Sequence, residues 1–154
     1  MNENRKVIAL GFFDGVHRGH ASLLERTAQV AKNLGAIPAV ITFDEHPDSL
    51  VAGKKMELIS SPEERAELIR RNFGIEEIIV VHFDDSMMHM LWTDFIQWLI
   101  DDFSAIHFVA GHDFHFGYKG EGNPRRLVSR CKELRIGCDI MPKVTMDGIT
   151  ISST

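Results

Sequence analysis

Ten residues near the N-terminus, Gly11-Phe12-Phe13-Asp14-Gly15-Val16-His17-Arg18-Gly19-His20, bring together residue types suited to holding an anion. Gly11 and Gly15 lack a Cβ, so they allow tight turns and close approach of the backbone to a ligand. His17 and His20 are three positions apart, and on the first turn of a helix they would occupy neighbouring surface positions. Free amides and the positive dipole end of such a turn favour negative charge. The chemistry suggested is phosphate binding, with two imidazoles as additional donors. Neither Gly-x-Gly-x-x-Gly nor the P-loop lysine pattern is present, which sets aside dinucleotide-dependent hydride transfer and the P-loop enzymes. Paired His at close helical spacing can ligate zinc, but no nearby Cys completes such a site, and no protein-held metal is expected.

The elements that must position this segment follow from the apolar pattern. Val7 to Leu10 reads as a buried strand ending at Gly11, and Leu23, Leu24, Ala28, Val30, Ala31 and Leu34 mark one face of a helix closed by Gly35. Ile37 to Thr42 makes a second strand. Ser61-Pro62-Glu63-Glu64 predicts a helix start with Ser61 as cap and Gly74 as stop. Ile78 to Val81 is a third strand, and Thr93 is the expected cap of a helix carrying Phe95, Ile96, Leu99 and Ile100. Ile106 to Ala110 is a fourth strand, Asn123-Pro124 opens a helix, and a fifth short strand lies around Cys138 to Met141. Lys143 to Ile151 contains a turn at Asp147-Gly148. Met87, Met88, Met90, Leu91 and Trp92 read as core or as a flexible apolar cover.

Strands apolar on both faces and separated by helices imply a doubly wound, Rossmann-like parallel sheet of about five strands in an α/β fold. Ligands in such sheets bind beyond the carboxyl ends of the strands, where the strand order reverses. The unusual chemistry does follow strands: the glycine-histidine segment the first, Phe43, His46 and Pro47 the second, and Gly111-His112-Asp113-Phe114-His115-Phe116-Gly117 the fourth. Phe114 and Phe116 also fit a half-buried extended strand, and His46-Pro47 also fits an ordinary turn.

With 154 residues, 44% hydrophobic and 25% charged, the chain fits one globular domain. Seventeen Lys plus Arg against 22 Asp plus Glu give a net charge of −5, so no overall basic field would gather nucleic acid or anionic lipid, and neither is an expected partner. The N-terminus lacks the apolar stretch of a secretory signal, and no apolar run is long enough to span a bilayer. Two cysteines, Cys131 and Cys138, are too few for a disulfide scaffold and suit a reducing cytoplasm.

His-x-Gly-His after a first strand resembles the nucleotidyltransferase superfamily, and Gly-x-Phe-Asp-Gly-Val-His-x-Gly-His resembles the FAD synthetase family, which includes the adenylyltransferase module of bacterial bifunctional riboflavin kinase/FMN adenylyltransferase. Thr42-Phe43-Asp44-Glu45-His46-Pro47 is similar to that family's Phe-x-Pro-His-Pro segment, Gly111 to Gly117 to its Gly-x-Asp-Phe-x-Phe-Gly segment, and Ile151-Ser152-Ser153-Thr154 to the start of its Ile-Ser-Ser-Thr-x-Ile-Arg motif. The four matches, in order, cover essentially the whole chain.

The resemblance implies transfer of AMP from ATP to the phosphate of FMN, giving FAD and pyrophosphate, with Mg2+ held mainly by the ATP phosphates. It implies catalytic roles for His17, His20 and Ser153. Gly11, Phe13, Asp14, Gly15, Gly111, Asp113, Ser153 and Thr154 would join the two histidines around ATP, and Phe43, His46 and Pro47 would line the flavin side. The sequence departs from the family at Phe12, where Asn is frequent, at Glu45, which replaces a Pro and puts an acid near the flavin phosphate, and at His115, where Arg is common and a pH-dependent charge would result. One domain over residues 1–154 is expected, with its last motif cut off at Thr154 and no riboflavin kinase domain in these residues; a kinase module or client flavoproteins are imaginable partners. The competing readings are the same chemistry on another phosphate substrate and a non-catalytic nucleotide or flavin sensor.

Overall fold

Five short strands carry the apolar runs read from the sequence, and in the computed structural model they form one parallel sheet. The structure describes residues 5–11, 18–43, 62–82, 84–112, 114–142, 144–146 and 149–151. The strands are β1 (Lys6–Leu10), β2 (Ile37–Phe43), β3 (Glu77–Val81), β4 (Ala105–Gly111) and β5 (Gly137–Met141). Their order is β3-β2-β1-β4-β5, every neighbouring pair parallel. The chain winds outward from β1 to β3, then returns to the other side of β1 for β4 and β5. The reversal falls between β1 and β4, as a doubly wound sheet requires.

The helices are α1 (Arg18–Leu34), α2 (Pro62–Phe73), α3 (Asp85–Met88), α4 (Trp92–Phe103) and α5 (Pro124–Leu134). Alternation along the strands divides them between two faces. Val7, Ala9, Val40 and Val109 pack with Leu23, Leu24, Val30 and Ala31 of α1 and Ile69 of α2. Ile8, Leu10, Ile41 and Phe108 pack on the other face with Phe95, Ile96 and Leu99 of α4 and Leu127 and Cys131 of α5. Fully buried side chains such as Phe108, Leu10 and Leu99 contribute about 1.5–3 kcal/mol each. The two layers of helix therefore hold the sheet rigid from both sides.

The helix ends agree in most places with the residues expected to make them. Gly35 follows α1 and Gly74 follows α2, both with positive φ, the backbone region in which a Cβ is costly. Asn123 caps α5, its side chain accepting the Arg126 N–H at 2.9 Å, with Pro124 in the first turn. The Thr93 cap is corrected: Leu91 is the N-cap of α4, without a side-chain cap bond, and Thr93 lies inside the helix. Apolar burial of Phe95, Ile96 and Leu99, rather than a cap, fixes where this helix begins. The expected Ser61 cap lies outside the described residues. β6 (Val144–Met146) and β7 (Ile149–Ile151) pair antiparallel in a separate two-stranded sheet; the expected Asp147-Gly148 turn lies outside the described residues.

Cys131 is buried and both thiols are free. Hydrogen bonding to Cys131, reinforced by burial, pushes the Cys138 thiol well above the ordinary range and keeps it protonated.

On the α1 side of the sheet, the Asp139 carboxylate accepts hydrogen bonds from Arg26 Nε at 3.1 Å and from His107 Nε2 at 3.0 Å, both at Oδ2. Burial alone would raise the Asp139 pKa, but these two bonds and the adjoining guanidinium outweigh it and hold the carboxyl below its ordinary value. A carboxyl depressed on folding stabilises the native state above its unfolded pKa of about 3.9, and that contribution is lost as pH falls through the folded value. Asp139→Asn should therefore be less stable than the parent at pH 7, by up to about 1 kcal/mol for so partly exposed a pair, and the gap should close below about pH 4. Urea unfolding of both proteins at pH 7 and pH 3 tests this; a gap unchanged at pH 3 contradicts it.

Candidate active site

The crossing point between β1 and β4 is edged by two glycines. Leu10 of β1 pairs with Ala110 of β4, so Gly11 and Gly111 come one residue later on adjacent strands, where both are half-buried. A helix that returns the chain between parallel strands runs antiparallel to them, which brings the start of α1 to this same carboxyl edge. His20 is the third residue of α1. The edge thus presents backbone unobstructed by Cβ atoms, a helix N-terminus and the sequence position of a histidine. That combination fits the phosphates of a nucleotide.

Phe43 ends β2 in register with Val81 and is buried in the apolar cluster with Ile41 and Leu10. It forms part of the packed wall beneath the edge. Of the other residues expected at the site, Phe13, Asp14, Gly15, His17, His46, Pro47, Asp113, Ser153 and Thr154, together with the side chain of His20, lie outside the described residues.

The segment after β4 is defined in detail and explains its own composition. Phe116 and Gly122 exchange backbone hydrogen bonds at 3.2 and 2.7 Å, closing a tight loop. The Phe116 ring is buried, 5.4 Å from that of Phe95 and stacked on Phe114 at 5.5 Å. A Cβ at Gly122 would stand 2.6 Å from the Phe116 ring, and one at Gly117 would stand 2.7 Å from Trp92 Cα. Phe116 therefore serves the core, and the glycines let the loop close over it. Phe114, half-buried, lies nearer the surface of this stack.

Sequence reasoning missed how this loop is fastened. The chain after β3 makes the short helix α3, capped by Asp84, whose side chain accepts the Met87 N–H at 3.0 Å. Met90 carbonyl then accepts the Tyr118 N–H at 2.7 Å, and the His89 ring stacks on Tyr118 at 5.2 Å. The loops after β3 and β4 are thereby joined. Asp84 ahead of Ser86-Met87-Met88 was a readable helix-start signal; the partnership of Met90 with Tyr118 has no local signature. Met87, Met90 and Trp92 pack against the core, while Leu91 is exposed.

Comparison with known proteins gives the same direction. The family model for FAD synthetase matches residues 1–154. The bifunctional riboflavin kinase/FMN adenylyltransferase of Listeria monocytogenes is 34% identical over 151 residues, covering 97% of this chain and 48% of the relative. The protein of the same name from Bacillus subtilis is 32% identical over 152 residues, with 97% and 48% covered. An FAD synthetase of Listeria monocytogenes is 29% identical over 151 residues, 96% of this chain and 60% of that one. A crystal structure described as a macrolide-efflux protein from Streptococcus pneumoniae superposes with a TM-score of 0.81 at 26% identity, over 99% of this chain and 50% of that one. The chain spans about half the length of the two bifunctional relatives. Among the described residues no helix is long and apolar enough to cross a membrane. With a match that runs from residue 1 to residue 154, on a doubly wound sheet whose crossing point is edged by Gly11 and Gly111, the chain belongs to the FAD synthetase family.

Proposed function

We propose that this protein is an FMN adenylyltransferase, transferring AMP from ATP to FMN. The observation that carries the reading is the pair Gly11 and Gly111 on neighbouring strands at the β1/β4 crossing, with α1 starting at the same edge. In the reaction a phosphate oxygen of FMN attacks the α-phosphorus of ATP, forming the new P–O–P bond of FAD. The bond from the α-phosphorus to the bridging oxygen breaks in line, and pyrophosphate departs with that electron pair. FMN supplies the nucleophile, so the protein's work is alignment and charge neutralisation.

ATP enters as its magnesium complex, the ion riding on the phosphates. Gly11, Phe13, Asp14 and Gly15 shape the loop that receives the nucleotide, and Gly111 and Asp113 flank the adenosine. His17 and His20 donate to the phosphates and stabilise the departing pyrophosphate, with Ser153 and Thr154 as further phosphate donors. His46 and Pro47 form the flavin side, with the buried Phe43 as the wall beneath them, and Glu45 works against the FMN phosphate by like-charge repulsion. We assign adenylyl transfer, and not the kinase activity named in the bifunctional relatives, to residues 1–154, because the family model that spans them is FAD synthetase. Its place is the cytoplasm, where ATP and flavin nucleotides are available together, and a kinase module or flavoprotein acceptors of FAD are its natural partners.

Incubation with ATP, magnesium and FMN, in oxidised and then reduced form, should yield FAD and pyrophosphate in equal amounts. Binding of both nucleotides without either product would favour a sensor, and turnover only with a different phosphate substrate would reassign the acceptor.

A further inference from the structure

α1 has His20 in its first turn and a charged fastening farther along. The face it turns to the sheet is apolar, with Leu23, Leu24, Val30 and Ala31 all nearly fully buried. Packing of this face holds α1 on the sheet, and a directional contact at Arg26 adds a point of definite geometry to it.

Arg26 reaches across to the edge strand β5 and bonds Asp139 Oδ2 at 3.1 Å. The same oxygen accepts the His107 Nε2–H at 3.0 Å. The His107 ring lies against Gly137, where any Cβ would overlap it. Three elements, α1, β4 and β5, thus converge on one carboxylate oxygen, and the glycine beneath the imidazole makes room for the arrangement. The side chains of Arg26 and Asp139 are 46% and 29% exposed. A pair so open to water adds little stability, and what it supplies is direction.

We propose that Arg26, acting through Asp139 and His107, is a positioning residue that fixes the register of α1 against β4 and β5 and so holds the first turn of α1 at the nucleotide edge. The proposal rests on the adenylyl-transfer reading for its kinetic consequence, though not for its structural one. Arg26 is eight residues beyond Arg18, roughly 12 Å along the helix, so a small rotation allowed at Arg26 is carried to the first turn as a displacement of the groups that meet ATP. Misplacement on the order of 1 Å costs up to about a hundredfold in rate.

The test uses the full chain with Arg26→Gln, Arg26→Lys and Gly137→Ala. Three quantities are read: amide hydrogen exchange over residues 22–25, the thermal midpoint, and steady-state FAD formation. Arg26→Gln should speed exchange over residues 22–25 while β1 and β2 are unchanged, leave the midpoint nearly unaltered, and lower kcat/KM for ATP about tenfold with KM for FMN unchanged. Arg26→Lys, which keeps the charge but not the guanidinium fork, should recover part of the loss. Gly137→Ala displaces His107 without altering Arg26 or Asp139 and should shift exchange in the same direction. Unchanged exchange over residues 22–25 in Arg26→Gln overturns the proposal. So does faster exchange spread evenly over helix and strands with a matching fall in midpoint, which is the signature of a merely stabilising pair. Exchange needs no substrate, so a parent protein that makes no FAD would defeat the adenylyl-transfer reading while leaving the α1 tether decided on its own evidence.

Discussion

His17→Ala and His20→Ala should each lower FAD formation by about two to three orders of magnitude, or roughly 3–4 kcal/mol of transition-state stabilisation, with little change in thermal midpoint. The size follows from what the reaction asks of the protein. As the α-phosphorus changes partners, negative charge grows on the departing pyrophosphate, and a donor already in place there costs nothing to reorganise at that moment. The dipole of α1 alone contributes about 0.3–1 kcal/mol and cannot carry this burden. His20 is in the first turn of α1, and His17 comes immediately before that helix in sequence; the proposed function assigns both to the phosphates. The loss should fall on kcat more than on KM for FMN, because the interaction strengthens only as the leaving group forms. Single-turnover kinetics with folded variants provides the measurement. Near-normal rates in either would remove that histidine from the phosphate role.

The order of strands and helices was legible because each apolar run is short, bounded and followed by a helix with its own periodicity. Ile37 to Thr42 and Ile106 to Ala110 needed only one-residue adjustments at their ends to become β2 and β4. Caps were legible where a side chain makes the bond, as at Asn123, and misread where burial decides, as at Thr93. Of the candidate site, the shared edge of Gly11 and Gly111 was legible, since the topology alone sends both there. Contacts between distant segments left no trace in the local pattern. Arg26 and Asp139 are 113 residues apart, and each alone reads as an exposed charge. Only the parallel pairing of β4 with β5, which sets His107 beside Gly137, gives Asp139 its two partners. The motif glycine at 117 could be seen but not explained, because its reason is the backbone of Trp92, twenty-five positions earlier.

Gly117→Ala should be among the most damaging single-methyl additions in the chain. Gly117 has φ 80° and ψ 180°, a conformation almost confined to glycine, and placing alanine there costs about 1–3 kcal/mol in backbone strain. The new Cβ would also stand 2.7 Å from Trp92 Cα and 2.8 Å from Trp92 N. Those are backbone atoms at the start of α4, anchored by Phe95 and Ile96 in the core, so the helix cannot give way as a flexible side chain would. The 116–122 loop must move instead, and overpacking of this kind adds about 1–3 kcal/mol. The Tyr118 bond to Met90 and the stack on His89 go with it. A total of roughly 2–6 kcal/mol is a large part of the ordinary 5–15 kcal/mol of domain stability, and for a chain of this size it corresponds to a fall in Tm of roughly 4–24 °C. Gly120→Ala is the matched control: its φ of +64° carries strain too, but its Cβ would meet nothing closer than His115 Cβ at 3.8 Å. That variant should lose only about 1–2 kcal/mol. If the two variants melt together, strain alone explains Gly117 and the contact with Trp92 is immaterial. If Gly117→Ala melts well below Gly120→Ala and also loses FAD formation at temperatures where it remains folded, then the glycine closing this segment keeps the loops after β3 and β4 joined, and the edge that receives the nucleotide depends on that junction.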